Sequence, residues 1–232
     1  MTARIAVTTA RDRGPDRRSA VDPAWFFRRW LGLMALGEGA GFAVAAATGV
    51  AVAVTEPTPL LALVVLLAAG AIEGALLGAG QVLALRALPL ERSILRRWPV
   101  LTSLAAVVAW SIGLLPSTLP GLDWSKPVIW VVAGLLGLVL LATIPAAQLI
   151  LLRRAVRRPW RWLPANMLGW LVGISWTLAV SPLVDASTPI PQLLALYVVA
   201  GVLMALTVAT ATGLCWISWL RHSDLIWTAS TP

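Results

Sequence analysis

Residues 78–98 read GAGQVLALRALPLERSILRRW. An apolar run ends at Leu85, Arg86 opens a short turn with Arg92, Arg96 and Arg97, and Trp98 leads into the next apolar run. The same spelling returns at 145–162, PAAQLILLRRAVRRPWRW, and its first half a third time at 213–221, GLCWISWLR. Gly78, Pro145 and Gly213 stand eight residues before Arg86, Arg153 and Arg221; Gln81, Gln148 and Trp216 stand five before them.

Outward from these turns lie six long apolar segments: Leu31–Val54, Leu60–Leu85, Val100–Leu115, Val128–Leu152, Leu163–Leu183 and Leu193–Leu220. A hydrocarbon core of about 30 Å needs roughly 20 helical residues at ~1.5 Å each. Five segments meet that length; the third must draw on its flanks, Trp98 and Pro116–Pro120. With 59% hydrophobic residues, 12% charged residues and a mean hydropathy of +0.85, a water-soluble domain is excluded. The first segment exceeds a signal-peptide core of about 7–15 residues and is read as an uncleaved span.

Seventeen of the 18 basic residues fall in the N-terminal tail, the turns Arg86–Arg97 and Arg153–Arg161, and the C-terminal end. The opposite loops hold Glu56, Asp123, Asp185 and only Lys126. Cytoplasmic loops keep positive charge, so this pattern predicts six spans with both termini inside. The fold class expected is an all-α membrane protein. Residues 1–24 are expected to form a disordered cytoplasmic tail, 25–221 the transmembrane domain and 222–232 a cytoplasmic C-terminal tail. The net charge of +8 then reflects topology and contact with anionic lipid at the inner face, with no role for nucleic acid. The arginine-rich, alanine-, leucine- and valine-rich composition suggests a GC-rich bacterial genome and a bacterial plasma membrane. Tryptophans 25, 30, 98, 160, 162, 216, 219 and 227 are expected to form an inner interfacial belt, with Trp124 and Trp130 at the outer interface.

The odd-numbered segments share a second spelling. Seven residues after Trp30, Trp98 and Trp162 come Gly37, Ala105 and Gly169; four further on come Gly41, Ala109 and Gly173, then Ala45, Gly113 and Thr177. Small residues four apart let a second helix approach closely, so Gly37, Gly41, Gly169 and Gly173 are expected to pack helices. Gly169→Leu should then disrupt folding in detergent. Taken together, the two spellings describe a two-helix hairpin repeated three times, each copy standing the same way up.

The Gln-x3-Leu-Arg ending and the tryptophan-plus-small-residue helix resemble a group of small, uncharacterised bacterial integral membrane proteins that carry repeated Gly-x2-Gln-Trp-x2-Leu-Arg helices. The chain departs from that pattern at Val82 and Leu149, where a tryptophan would follow the glutamine, and at Trp216, which replaces the glutamine. The resemblance implies a fold and a membrane location, and no activity.

Glu38 and Glu73 are the acids inside spans. They fall on adjacent antiparallel helices at comparable depth, roughly 13 Å and 20 Å from the flanking arginines. An ionisable group at such depth costs about 2.5–3.5 kcal/mol on insertion scales and points to function. With no Lys, Arg or His in any span, the pair must be protonated, share a proton or bind a cation. The competing reading makes each a neutral acid bonded to a backbone carbonyl, which Gly37, Gly39, Gly70 and Gly74 would bring close.

Gln81 and Gln148 are expected to pin helices together or to touch a substrate. Pro145 removes a backbone donor and is expected to bend the fourth span, a packing kink or a hinge. Thr207, Thr210 and Thr212 should bond their own helix carbonyls. Cys215, the only cysteine, excludes an internal disulfide, and His222 stands at a solvated end. No zinc spacing, phosphate-cradling glycine loop or Gly-x-Ser-x-Gly elbow appears.

These residues lead to an expectation of a non-enzymatic protein without cofactor. It would be a structural or interaction component that meets a protein partner or a second copy. The alternative is a small proton- or cation-coupled transporter using Glu38 and Glu73. In a Cys215→Ala background, Leu90→Cys and Arg157→Cys should react with a membrane-impermeant maleimide only from the cytoplasmic side. Labelling from the periplasm would overturn the orientation.

Overall fold

A computed structural model describes residues 21–119, 121–185, 188–222 and 225. Most of the N-terminal tail, the C-terminal tail beyond His222 apart from Leu225, and Trp227 of the expected belt lie outside them.

Six long helices follow one another: α1 (Pro23–Thr55), α2 (Pro59–Leu85), α3 (Arg92–Gly113), α4 (Pro127–Leu152), α5 (Trp162–Leu178) and α6 (Ile190–Arg221). Single turns at Leu115–Thr118, Pro159–Arg161 and Ser181–Leu183 fill the connections. Prolines mark the first turn of α1, α2, α4 and α6. There the missing N–H costs nothing and the ring sets a helical φ. Asp22 caps α1 by accepting from the Ala24 and Trp25 backbone N–H groups at 3.0 and 3.2 Å, satisfying donors the first turn leaves open. α1 thus begins inside the stretch expected to be tail.

Among the described residues, four helices, α1, α2, α4 and α6, are long and apolar enough to cross a membrane. α3 reaches 22 residues by extending back to Arg92, taking in three arginines. Its length therefore comes from the arginine-rich flank; toward Pro116 only the single turn Leu115–Thr118 is added. α5 has 17 residues, about 26 Å of helix.

Each long helix packs against its neighbours in sequence, and α6 packs against α1, so the six close into a ring. The helices alternate in direction. Arg29 on α1 donates to the Leu83 carbonyl near the end of α2 at 2.6 Å. Arg161, ahead of α5, donates to Ser218 near the end of α6 at 2.6 Å. Val156 in the α4–α5 turn pairs with Leu225 after α6. The arginine-bearing ends thus gather at one end of the bundle. In the turn before α4, at the other end, Asp123 accepts from the Ser125 hydroxyl at 2.6 Å and its backbone N–H at 3.1 Å. Those bonds hold its carboxyl below the usual range.

The outside of the ring is oily: Leu36, Val54 and Leu60 are 70%, 77% and 72% exposed. The inside holds Glu38, Gln81, Thr102, Gln148, Asn166 and Thr212, all buried. That inversion of a soluble protein suits a lipid surround.

Glycines set how closely the helices meet. A Cβ on Gly37 would lie 2.6 Å from the Leu76 carbonyl, and one on Gly41 would lie 2.9 Å from the Glu73 Cα. Gly169 faces Ala211 and Val208, and Gly173 faces Met204 and Val208. All four glycines therefore pack inside hairpins of the chain itself. Gly78 lies against Pro99, and Gly213 against Phe27 and Trp30, joining α2 to α3 and α6 to α1. α4 runs unbroken through Pro145, which is buried.

Gly39, two residues from Gly37, has nothing within 4 Å of its missing Cβ. Gly37→Ala should lower the melting temperature in detergent, overpacking costing about 1–3 kcal/mol. Gly39→Ala should leave it unchanged or raise it slightly. Equal melting of the two variants would remove the close α1–α2 contact.

Candidate functional site

The interior divides into two layers. At the arginine end, Trp30, Trp98, Trp162, Trp216 and Trp219 are fully buried and in ring contact, with centroids 5.0–6.1 Å apart. The expected interfacial belt is thereby corrected for these five, which fill the bundle as a plug. Hydropathy scales score a tryptophan alike at an interface and in a core, so only packing separates the two. Trp25 and Trp160, at 45% and 64% exposure, do face outward.

Three of the indoles are held by donor bonds that pass from hairpin to hairpin. Trp98 Nε1 donates to Gln81 Oε1 at 2.7 Å, and Trp162 Nε1 donates to Gln148 Oε1 at 2.9 Å. Trp30 Nε1 donates to Thr212 Oγ1 at 3.0 Å. Gln148 Nε2 donates to Gln81 Oε1 at 2.8 Å and to Thr102 Oγ1 at 2.9 Å. Trp216 occupies the third glutamine position, and the acceptor on α6 is Thr212, one turn earlier. Thr212 also donates to the Val208 carbonyl at 2.7 Å, as Thr207 does to Leu203. Met34, Thr102 and Asn166, each four residues past its tryptophan, complete this layer and are buried.

Above the plug, away from the arginines, lies a cavity of about 990 Å³. It runs from Glu38, Glu73, Leu77 and Met204 to Gly49, Gly113 and Leu193 near the far ends of α1, α3 and α6. Its walls are alanine, leucine, isoleucine and aromatic, with Phe42, Trp110, Trp170 and Tyr197 among them. Both acids line it.

Glu73 is fixed by Trp110, whose Nε1 donates to Glu73 Oε2 at 2.7 Å. Gly70 makes that possible: a Cβ there would meet Trp110 Cγ at 2.5 Å. Glu38 is fully buried, and neither of its oxygens has a hydrogen-bond partner among the described residues. The carbonyl bonds of the neutral-acid alternative are thus not made at Glu38. Nor do the four polar candidates form one site, since Gln81 and Gln148 belong to the plug and the acids to the cavity. Pro145 lies on α4 near Gln148, and His222 is exposed, its Nδ1 2.7 Å from the Ser218 carbonyl. Among the described residues no group of three His, Cys, Asp or Glu can hold a metal ion. Cys215 is buried and free.

Three parts of the interior were not named from the sequence: Trp110, the positions four past each tryptophan, and the aromatic lining. The signal for them was present. Trp30–Met34–Glu38–Phe42, Trp98–Thr102–Ala106–Trp110 and Trp162–Asn166–Trp170–Ile174 are stripes at four-residue spacing on the inward face.

No protein family, curated protein or solved structure matches the chain. Geometry alone therefore carries the functional reading.

The plug bonds can be weighed by a double-mutant cycle. Gln148→Leu and Trp162→Phe should each destabilise the protein in detergent, a buried polar group left unpaired costing about 1–3 kcal/mol. The double variant should lose less than the sum of the two. Strict additivity would show that the indole and the amide are not coupled.

Proposed function

We propose that the chain is a non-enzymatic, multi-pass protein of the bacterial plasma membrane whose cavity is the binding site of a small proton- or cation-coupled transporter. The observation carrying this reading is that both intramembrane acids line one cavity, Glu38 fully buried and without a hydrogen-bond partner among the described residues. An unpaired carboxyl in an oily bundle is costly unless a proton or a cation neutralises it. Glu38 and Glu73 are the coupling carboxyls, and the tryptophan plug is the barrier on the arginine side.

In this reading all six helices span, as three parallel hairpins with both termini cytoplasmic. α3 and α5 support it because each packs between two of the longer apolar helices. The repeat is supported by the way Trp30, Trp98 and Trp162 each bond an acceptor on the even helix of another hairpin. The arginines at one end would meet anionic headgroups. A purely structural or interaction role has less to stand on, because Gly37, Gly41, Gly169 and Gly173 are already met by the chain's own helices. The plug glutamines would hold that barrier in place, and Gln81 would not touch substrate.

A pH jump across proteoliposomes on a solid-supported membrane should produce a transient charge movement that requires the protein. The Glu38→Gln/Glu73→Gln variant should abolish it. A signal of unchanged size in that variant would eliminate these acids as the coupling site.

A further inference from the structure

The chemistry of the cavity narrows what it can hold. A small inorganic cation wants about six oxygen ligands, whereas the oxygen-bearing side chains on this lining are Glu38, Glu73, Thr177 and Tyr197. Thr177 already spends its hydroxyl proton on the Ile174 carbonyl at 2.8 Å. A hydrophilic solute would exchange water for alanine and leucine. An anion would face two carboxyls, and a neutral apolar solute would leave Glu38 as unpartnered as before.

We propose that the ligand is a lipophilic organic cation: an apolar body filling the cavity, with its charge at Glu38 and Glu73. Three independent features fit it. The volume of about 990 Å³ lies at the upper end of the roughly 300–1,000 Å³ range of small-molecule sites. The unpartnered oxygens of Glu38 supply a buried counter-charge. Phe42, Trp110, Trp170 and Tyr197 supply ring faces, which attract cations and pack against apolar groups. Trp110, bonded to Glu73 and laid over Gly70, is a positioning residue that presents one carboxyl to the ligand.

The inference rests on the transport reading of the same cavity, and equilibrium binding tests it apart from transport. Purified protein in nanodiscs would be dialysed against radiolabelled tetraphenylphosphonium, with triphenylphosphine oxide as neutral analogue and tetraphenylborate as anionic one. The cation should bind saturably and the two analogues at least tenfold more weakly. Glu38→Gln/Glu73→Gln should weaken cation binding at least tenfold. Gly49→Leu is the second variant: nothing lies within 4 Å of the Gly49 Cβ position, which borders the cavity. It should fill the space, keep the melting temperature and weaken binding without touching either acid. Absence of cation binding, equal binding of the neutral analogue, or full cation binding by both variants would each overturn the inference. Cation binding without a pH-jump signal would uphold it and sink the transport reading. A pH-jump signal without cation binding would do the reverse.

Discussion

An indole N–H inside a bilayer has no water to bond. Every tryptophan buried in the bundle must find an acceptor there or bear a cost of about 1–3 kcal/mol. Trp30, Trp98 and Trp162 find theirs on Thr212, Gln81 and Gln148, so each odd helix is tied to an even helix outside its own hairpin. A slip of one turn along any of these contacts would leave an indole and an amide unpaired together. The bonds fix the relative height of the helices at the arginine end and close the ring between α6 and α1. Glycines fix the distance: Gly78 and Gly213 let the next helix come near enough for the indole to reach its acceptor. Trp216 and Trp219 fill the remaining volume, their own N–H groups without partners among the described residues.

A bundle locked at one end need not be filled at the other. Above the plug, the inward positions of α1, α3 and α5 become Glu38, Ala106 and Trp170, then Phe42, Trp110 and Ile174. Alanines and glycines beside them leave room that no side chain takes up. In a packed interior, unfilled volume forfeits dispersion contacts, so the cavity persists on the rigidity of the tryptophan layer below. Helix packing and cavity therefore depend on the same few bonds, which lie a turn or two away from the acids.

Much of this was legible in the residues. Apolar length placed the helices, arginine spacing placed their shared end, and of the small-residue ladder Gly37, Gly41, Ala105, Gly169 and Gly173 are packed, while Ala109, Gly113 and Thr177 line the cavity. What could not be read was which of two neighbouring faces points inward. The stripe four, eight and twelve past each tryptophan is as regular as the small-residue stripe. A helix offers both, and the choice follows from the closing of the ring, which no local spacing reports. For the same reason Trp110 escaped notice: its partner Glu73 lies on another helix, and Gly70, which admits its ring, looks like any other membrane glycine.

The pattern of symmetry and its loss separates frame from site. Trp30, Trp98 and Trp162 stand at the same end of α1, α3 and α5, and each donates to an oxygen on an even helix: Thr212, Gln81 and Gln148. Four residues later the positions hold Met34, Thr102 and Asn166, still buried but chemically distinct. Eight residues later they hold a carboxyl, a methyl and an indole. Three carboxyls at that level would crowd like charges into a low-dielectric space, where each disfavours the others. One acid on α1 with a second from α2 keeps the charge on a single side and gives the rest of the circumference to oily and aromatic surface. That arrangement suits the proposed ligand, with its charged pole and apolar remainder.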